Sequence, residues 1–328
     1  MKYFWIIILF VSVVSGCTVI RNSQQEDLAE FAHMAIKVAD VPGDIYTRYY
    51  ELNHQYKILN SASQFMDAPK VTDAISDLEL KEEDIAMDDA KIHAFKVQYE
   101  IMKKFAALLM AMTDPVYRDN FVKEKDDFMT SFNLLSKKCN TLFPTSRLPS
   151  SLGGLVGSLV QEIGSRSIQY MQRKYLVQLL KEAEPSFTAI CNFYIDQHAK
   201  EIELLCRNLK EETDHAFSTY VNNIKNDNQS GNNLLLYQDR LVPLYQSWQA
   251  KVKIIRQLSD NQIESMQKLR DAYNAMQHSL VSKMTLREMI PEMGSLYNSF
   301  GNIRDAYEQY ADEMKRIRDS RPINNSEK

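Results

Sequence analysis

The sequence predicts an all-α fold, an elongated bundle of long antiparallel helices that closes in a coiled-coil-like C-terminal hairpin. Three observations predict it. Only nine Gly and nine Pro occur in 328 residues, whereas strand-rich folds need many turns marked by these residues. Apolar residues recur at spacings of three and four along most of the chain, the period of a helix face and not of a strand. The last arm keeps that spacing without a break from Met293 through Leu296, Phe300, Ile303, Tyr307, Tyr310 and Met314 to Ile317, which is a coiled-coil seam. Tyr and Met at so many seam positions favour antiparallel packing within one chain over a parallel zipper, which prefers Ile, Val and Leu.

Taken from the N-terminus, Lys2 supplies a positive charge, and Tyr3 to Val14 follow as an apolar run interrupted only by Ser12. That is the layout of a secretory signal peptide, and the run falls well short of the roughly 20 residues that span a bilayer. Residues 1–16 are therefore expected to direct export and to be cleaved. Val14-Ser15-Gly16-Cys17 resembles the lipobox of bacterial lipoproteins, with Val14 where that family most often has Leu. The resemblance covers only the first 20 or so residues. It implies palmitate-type acylation of Cys17, the new N-terminus, and hence a membrane anchor, since each buried methylene contributes about 0.8 kcal/mol. Thr18 is not the Asp that retains many such lipoproteins at the inner membrane, so the resemblance implies the outer membrane of the cell envelope as the address.

Residues 17–25 read as a polar tether and 26–319 as the helical body. Leu28, Phe31, Ala32, Ala35, Val38 and Ala39 mark the first helical face, and Val41-Pro42-Gly43-Asp44 is expected to break it. A second helix carries Ile45, Tyr49, Leu52, Tyr56 and Leu59. Pro69 opens a short acidic helix, and a longer one is predicted from Glu82 to Thr113. Asp114-Pro115 reads as an N-cap followed by proline at the first helical position, starting a helix that ends near Leu142. Phe143 to Ser151, with Pro144 and Pro149, is the clearest loop and a candidate sub-boundary.

Beyond it, Gly153, Gly154, Gly157 and Gly164 sit among Leu152, Leu155, Val156, Leu159, Val160 and Ile163. Pro185 is expected to start a new segment, carried by Cys191, Tyr194, His198, Ile202, Leu205, Leu209, Ala216 and Tyr220. Asn226 to Asn233 is a turn by composition. The hairpin follows, with Leu258, Met266, Leu269, Tyr273, Met276 and Leu280 on one arm, a capping-box spacing at Thr285 and Glu288, and Pro291 at the start of the last arm. From Ser320 the polar tail, residues 320–328, is expected to be disordered.

Charge and motifs bound the function. With a formal net charge of −4 and no basic face, the chain lacks what a nucleic-acid partner needs. Apart from Cys17 there are three cysteines, Cys139, Cys191 and Cys206. Cys191 and Cys206 on one helix would stand about 22 Å apart, too far to bond. A disulfide would have to use Cys139, and the other reading is three buried small hydrophobes.

No phosphate loop, nucleophile elbow, zinc helix or Cys-x-x-Cys occurs. Glu-x-x-His occurs at Glu30/His33, Glu51/His54 and Glu212/His215, the unit from which ferritin-like bundles build a di-metal site. In those sites the ligands project into the core, and here the pairs avoid the apolar stripes, which places them on the surface. His198 alone falls on an apolar face, between Tyr194 and Ile202, while Asp196 and Glu201 do not make a convincing dyad. The run Ile45-Tyr46-Thr47-Arg48-Tyr49-Tyr50 reads as core filler or as a stacking platform.

The Gly-rich helix has three readings: a close helix crossing, a groove for a partner helix, or a concealed membrane-inserting element, although Leu152 to Val160 is too short to span a bilayer. Gly153, Gly154, Leu155, Gly157 and Leu159 are accordingly the candidate residues for partner or membrane contact. The sequence thus predicts a non-enzymatic protein-binding or scaffolding bundle, with no catalytic residue, cofactor or metal. Its expected partners are the membrane, through the anchor, and another protein. The rival readings are a membrane-active, pore-forming-like effector and a di-metal enzyme. Oligomeric state is left open.

Overall fold

A computed structural model describes residues 22–65, 82–142, 150–163, 168–226, 242–282 and 289–319. All of these are helical except Asp114, so the chain is an all-α helical bundle. The signal segment, Cys17, the 143–149 connector, the 227–241 segment with most of the Asn-rich turn, the Thr285/Glu288 spacing and the 320–328 tail lie outside the described residues, as does the helix expected after Pro69.

The helices are α1 (Asn22–Phe65), α2 (Glu82–Thr113), α3 (Pro115–Leu142), α4 (Ser150–Ile163) and α5 (Ile168–Phe193), followed by a π-helical turn at Tyr194–His198, then α6 (Ala199–Asn226), α7 (Val242–Ser282) and α8 (Met289–Asp319). The chain divides into two compact units. The first takes residues up to Asp40, then Lys96–Phe193 and Ser265–Asn298; the second takes Val41–Phe95, Tyr194–Glu264 and Ser299 onward. Both flanks of residues 143–149 belong to the first unit.

Two proline-based expectations are corrected. Pro42 lies inside α1 and Pro185 inside α5; neither breaks its helix. A mid-helix proline costs about 3 kcal/mol, and burial offsets that at Pro42, because Val38, Ala39, Val41, Ile45 and Tyr46 beside it are all nearly inaccessible. At Pro185 the carbonyl deprived of its donor belongs to Lys181, and both residues are exposed, so water can take the place of the missing amide. Local breaker chemistry predicted the boundaries; burial at Pro42 and hydration at Pro185 overrode it.

Other local signals hold. The Asp114 carboxylate accepts the amides of Val116 at 2.8 Å and Tyr117 at 3.3 Å, satisfying donors that a helix start leaves open. The last arm begins at Met289, two residues ahead of Pro291, which the first turn tolerates because its amide would have no helical acceptor.

In the first unit the core is aromatic. Phe187 stacks on Tyr273 with centroids 4.4 Å apart, and Phe31 and Phe105 approach both rings at about 6 Å. The helices α5 and α7 run antiparallel there: Arg270 donates to Asn192 and Gln277 to Glu184, so partner numbers fall as those of α7 rise. An ion pair from Lys103 to Asp40, at 2.7 Å, ties α2 to α1.

The second unit is built from parts of α1, α2, α7 and α8 together with the π-helical turn and α6. Asp214 meets Tyr245 and Gln249, Glu203 meets Arg256, and Tyr194 meets Ser259, so α7 is again antiparallel to the chain before it. Asn261 donates to the carbonyl of Asn302, joining the two arms of the expected hairpin. Along the seam Met293, Leu296, Ile303 and Tyr310 are buried, with Phe300 and Tyr307 half-buried.

Candidate binding surfaces

The Gly-rich helix α4 packs against α3 and α5 within the first unit. Its glycines do not all serve that packing. A Cβ on Gly157 would meet Met129 Cε of α3 at 3.6 Å, ordinary contact distance, whereas a Cβ on Gly153 or Gly154 would meet nothing within 4 Å. Gly157 therefore marks the helix crossing, and half-buried Gly153 with exposed Gly154 marks a part of α4 that no neighbour approaches among the described residues. Leu155 is half-buried beside them, while Leu159 has no accessible surface and belongs to the core. On α3, Val116 and Leu134 are 74% and 54% exposed.

A feature the sequence did not point to lies on the inner side of the same helices. A small, apolar, partly open pocket, a cavity of about 20 Å³, is lined by Met102, Phe105 and Leu108 of α2, Phe128 and Phe132 of α3, Val156 of α4, and Ala183 and Phe187 of α5. Two polar residues join the walls. Lys104 holds its ammonium 5.2 Å from the centroid of the Phe128 ring. The hydroxyl of Ser186, a residue only 5% exposed, has no hydrogen-bond partner among the described residues. The signal that could have pointed here is the apolar stripe of Phe121, Phe128 and Phe132 along α3; spacing alone does not say that the neighbouring helices leave room beside it.

The interior of the second unit is more polar. His198, in the π-helical turn, is fully buried between the rings of Tyr46 and Tyr194, 5.2 and 5.8 Å away by centroid. Burial pushes its pKa down to about 3, so the imidazole is neutral. The Tyr46 hydroxyl donates to Glu201 at 3.4 Å, and Tyr194 exchanges a hydrogen bond with Ser259 at 3.3 Å. The Arg48 guanidinium lies over the rings of Tyr307 and Tyr310, at 4.8 and 4.5 Å. Lys251 is 1% exposed. Burial pulls its pKa down against the opposing pull of Glu51 and Glu313.

Where α6 meets α7, Asp214 gathers Lys210, Tyr245 and Gln249, and the Tyr245 ring stacks on Phe217 at 4.0 Å. Burial raises the Asp214 pKa, but the three hydrogen bonds outweigh it and hold the carboxyl below its usual range. These contacts tie helices together.

All six members of the Glu-x-x-His pairs are exposed, at Glu30, His33, Glu51, His54, Glu212 and His215. Among the described residues no cluster of three His, Cys, Asp or Glu is spaced to hold a metal ion, and no described helix is long and apolar enough to cross a membrane. Cys139, Cys191 and Cys206 are free and buried, as the small-hydrophobe reading expects. Of the Tyr-rich run, Ile45, Tyr46 and Tyr49 are buried, so this run is largely core.

Compared with protein-family models, with curated proteins and with solved structures, the chain matches none.

Proposed function

We propose that this chain is a lipoprotein of the bacterial cell envelope, anchored through lipid on Cys17, whose helical body acts by protein contact and not by catalysis. The anchor rests on the apolar run and the Val14-Ser15-Gly16-Cys17 motif, and Thr18 favours the outer membrane over the inner. For the contact surface the supporting observation is the bare stretch of α4: Gly153 and Gly154 have open space where side chains would stand. Leu155 beside them is half-buried, and Leu134 of α3 is exposed. A helix surface that is apolar, narrow and uncovered is one on which a partner helix can pack closely.

Intact-mass analysis of membrane-extracted protein beside its Cys17→Ser variant tests the anchor; the expected result is loss of residues 1–16 with added acyl mass, abolished by the substitution. A photoreactive residue placed at Gly154 in cells tests the contact surface. A discrete adduct from that position, absent from one at exposed Asn274, supports the reading. No adduct from Gly154, or a specific enzymatic turnover by the purified protein, overturns it.

A further inference from the structure

We propose that the apolar pocket of the first unit binds a free anionic amphiphile, an unbranched alkyl carboxylate whose chain enters between α2, α3, α4 and α5 and whose head group meets Lys104. Three observations carry this. Every residue lining the pocket is buried except Lys104, which is half-buried. An occupant must therefore insert, not lie along the surface. A partner helix needs an accessible apolar groove several turns long, and this pocket does not present one; a slender chain needs only an entrance. The walls suit such a chain, because they are almost wholly apolar and the unbranched Met102 among them can shift to admit it.

Charge selects the head group. Lys104 is the one ionisable residue on the pocket wall, and among the described residues it pairs with no carboxylate, its ammonium resting instead near the Phe128 ring. An incoming carboxylate supplies the charge-assisted partner that the ammonium lacks. The third observation is Ser186, whose buried hydroxyl is unpartnered. An unmade hydrogen bond of this kind disfavours an empty, water-free pocket, and a polar atom carried in with the ligand removes that penalty.

This pocket and the bare stretch of α4 are probed through different residues, so failure of one reading leaves the other standing. The test is calorimetric titration of octanoate, decanoate and decanol, below their aggregation concentrations, into the full chain carrying Cys17→Ser, which bears no acyl group of its own. Expected are saturable 1:1 binding of decanoate, tightening of about fourfold per methylene from octanoate to decanoate, and a loss of about tenfold or more on Lys104→Gln for decanoate but not for decanol. Ala183→Phe, which fills the pocket, is expected to abolish binding of both, with helical circular dichroism recording that it folds. Should that variant not fold, the Lys104→Gln contrast decides alone. Non-saturable uptake, equal weakening of decanoate and decanol by Lys104→Gln, or binding to phosphatidylglycerol vesicles without binding of free decanoate each overturn the proposal.

Discussion

The phenol of Tyr273 donates a hydrogen bond to the main-chain carbonyl of Leu180, so that one side chain of α7 both stacks in the aromatic core of the first unit and fastens itself to the backbone of α5. The two roles separate by substitution. Tyr273→Phe keeps the ring on Phe187 and loses only the hydrogen bond, and is expected to cost about 1 kcal/mol. Tyr273→Ala removes the ring from a fully buried site and is expected to cost about 3 to 5 kcal/mol. Urea denaturation followed by circular dichroism measures both; equal losses would mean that the ring contributes nothing beyond its hydroxyl.

His198 makes stability depend on pH. Its folded pKa, about 3, lies below its unfolded value near 6.5, so between those values the unfolded chain binds a proton that the folded chain does not. By linkage, stability falls as pH drops through this window, with a slope of up to about 1.4 kcal/mol per pH unit from this group. His198→Phe leaves an apolar ring between Tyr46 and Tyr194 and is expected to flatten the slope. Denaturation midpoints at pH 7, 6, 5 and 4 read it, and an unchanged profile would show that other groups carry the pH dependence.

Burial raises the thiol of Cys139 to about 11 and those of Cys191 and Cys206 to about 12. Thiolate is the reactive form, so in a Cys17→Ser background the folded protein is expected to resist Ellman's reagent and to titrate three thiols once denatured. Rapid labelling of any of them without denaturant would place that cysteine at the surface.

Gly154 and Gly157 are expected to respond oppositely to added bulk. Gly154→Ala adds a methyl to open space and removes the conformational freedom of a mid-helix glycine, which stabilises by about 0.5 to 1 kcal/mol. Gly157→Leu drives a side chain toward Met129 and is expected to destabilise by about 1 to 3 kcal/mol. Thermal melting of the two variants beside the parent measures the contrast, and a destabilising Gly154→Ala would mean that this part of α4 is already covered.

Asp114→Ala tests the junction between α2 and α3. Losing a carboxylate that accepts two amides is expected to cost about 1 kcal/mol, whereas Asp114→Asn, which retains an acceptor, is expected to cost less. Equal losses from the two substitutions would show that the negative charge matters more than the cap.

The amino-acid sequence by itself determined the helical class, the starts of α2 and α3, the hairpin of α7 and α8, the surface position of the Glu-x-x-His pairs and the buried place of His198, because each follows from side-chain period or from cap chemistry within a few residues. It misjudged Pro42 and Pro185, because the cost of a missing amide is local while the burial or hydration that offsets it comes from the rest of the molecule. The π-helical turn left a partial trace: buried residues Ile190, Tyr194, His198, Ile202 and Cys206 step by four, a stripe that would drift by about 160° around a regular α-helix, and one extra residue per turn takes much of that drift back. The separate destinies of Gly157 and Gly154, and the pocket beside Phe128, only the tertiary structure decided, since whether a helix face meets a neighbour or open space depends on where other helices pass, and no spacing within one helix records that.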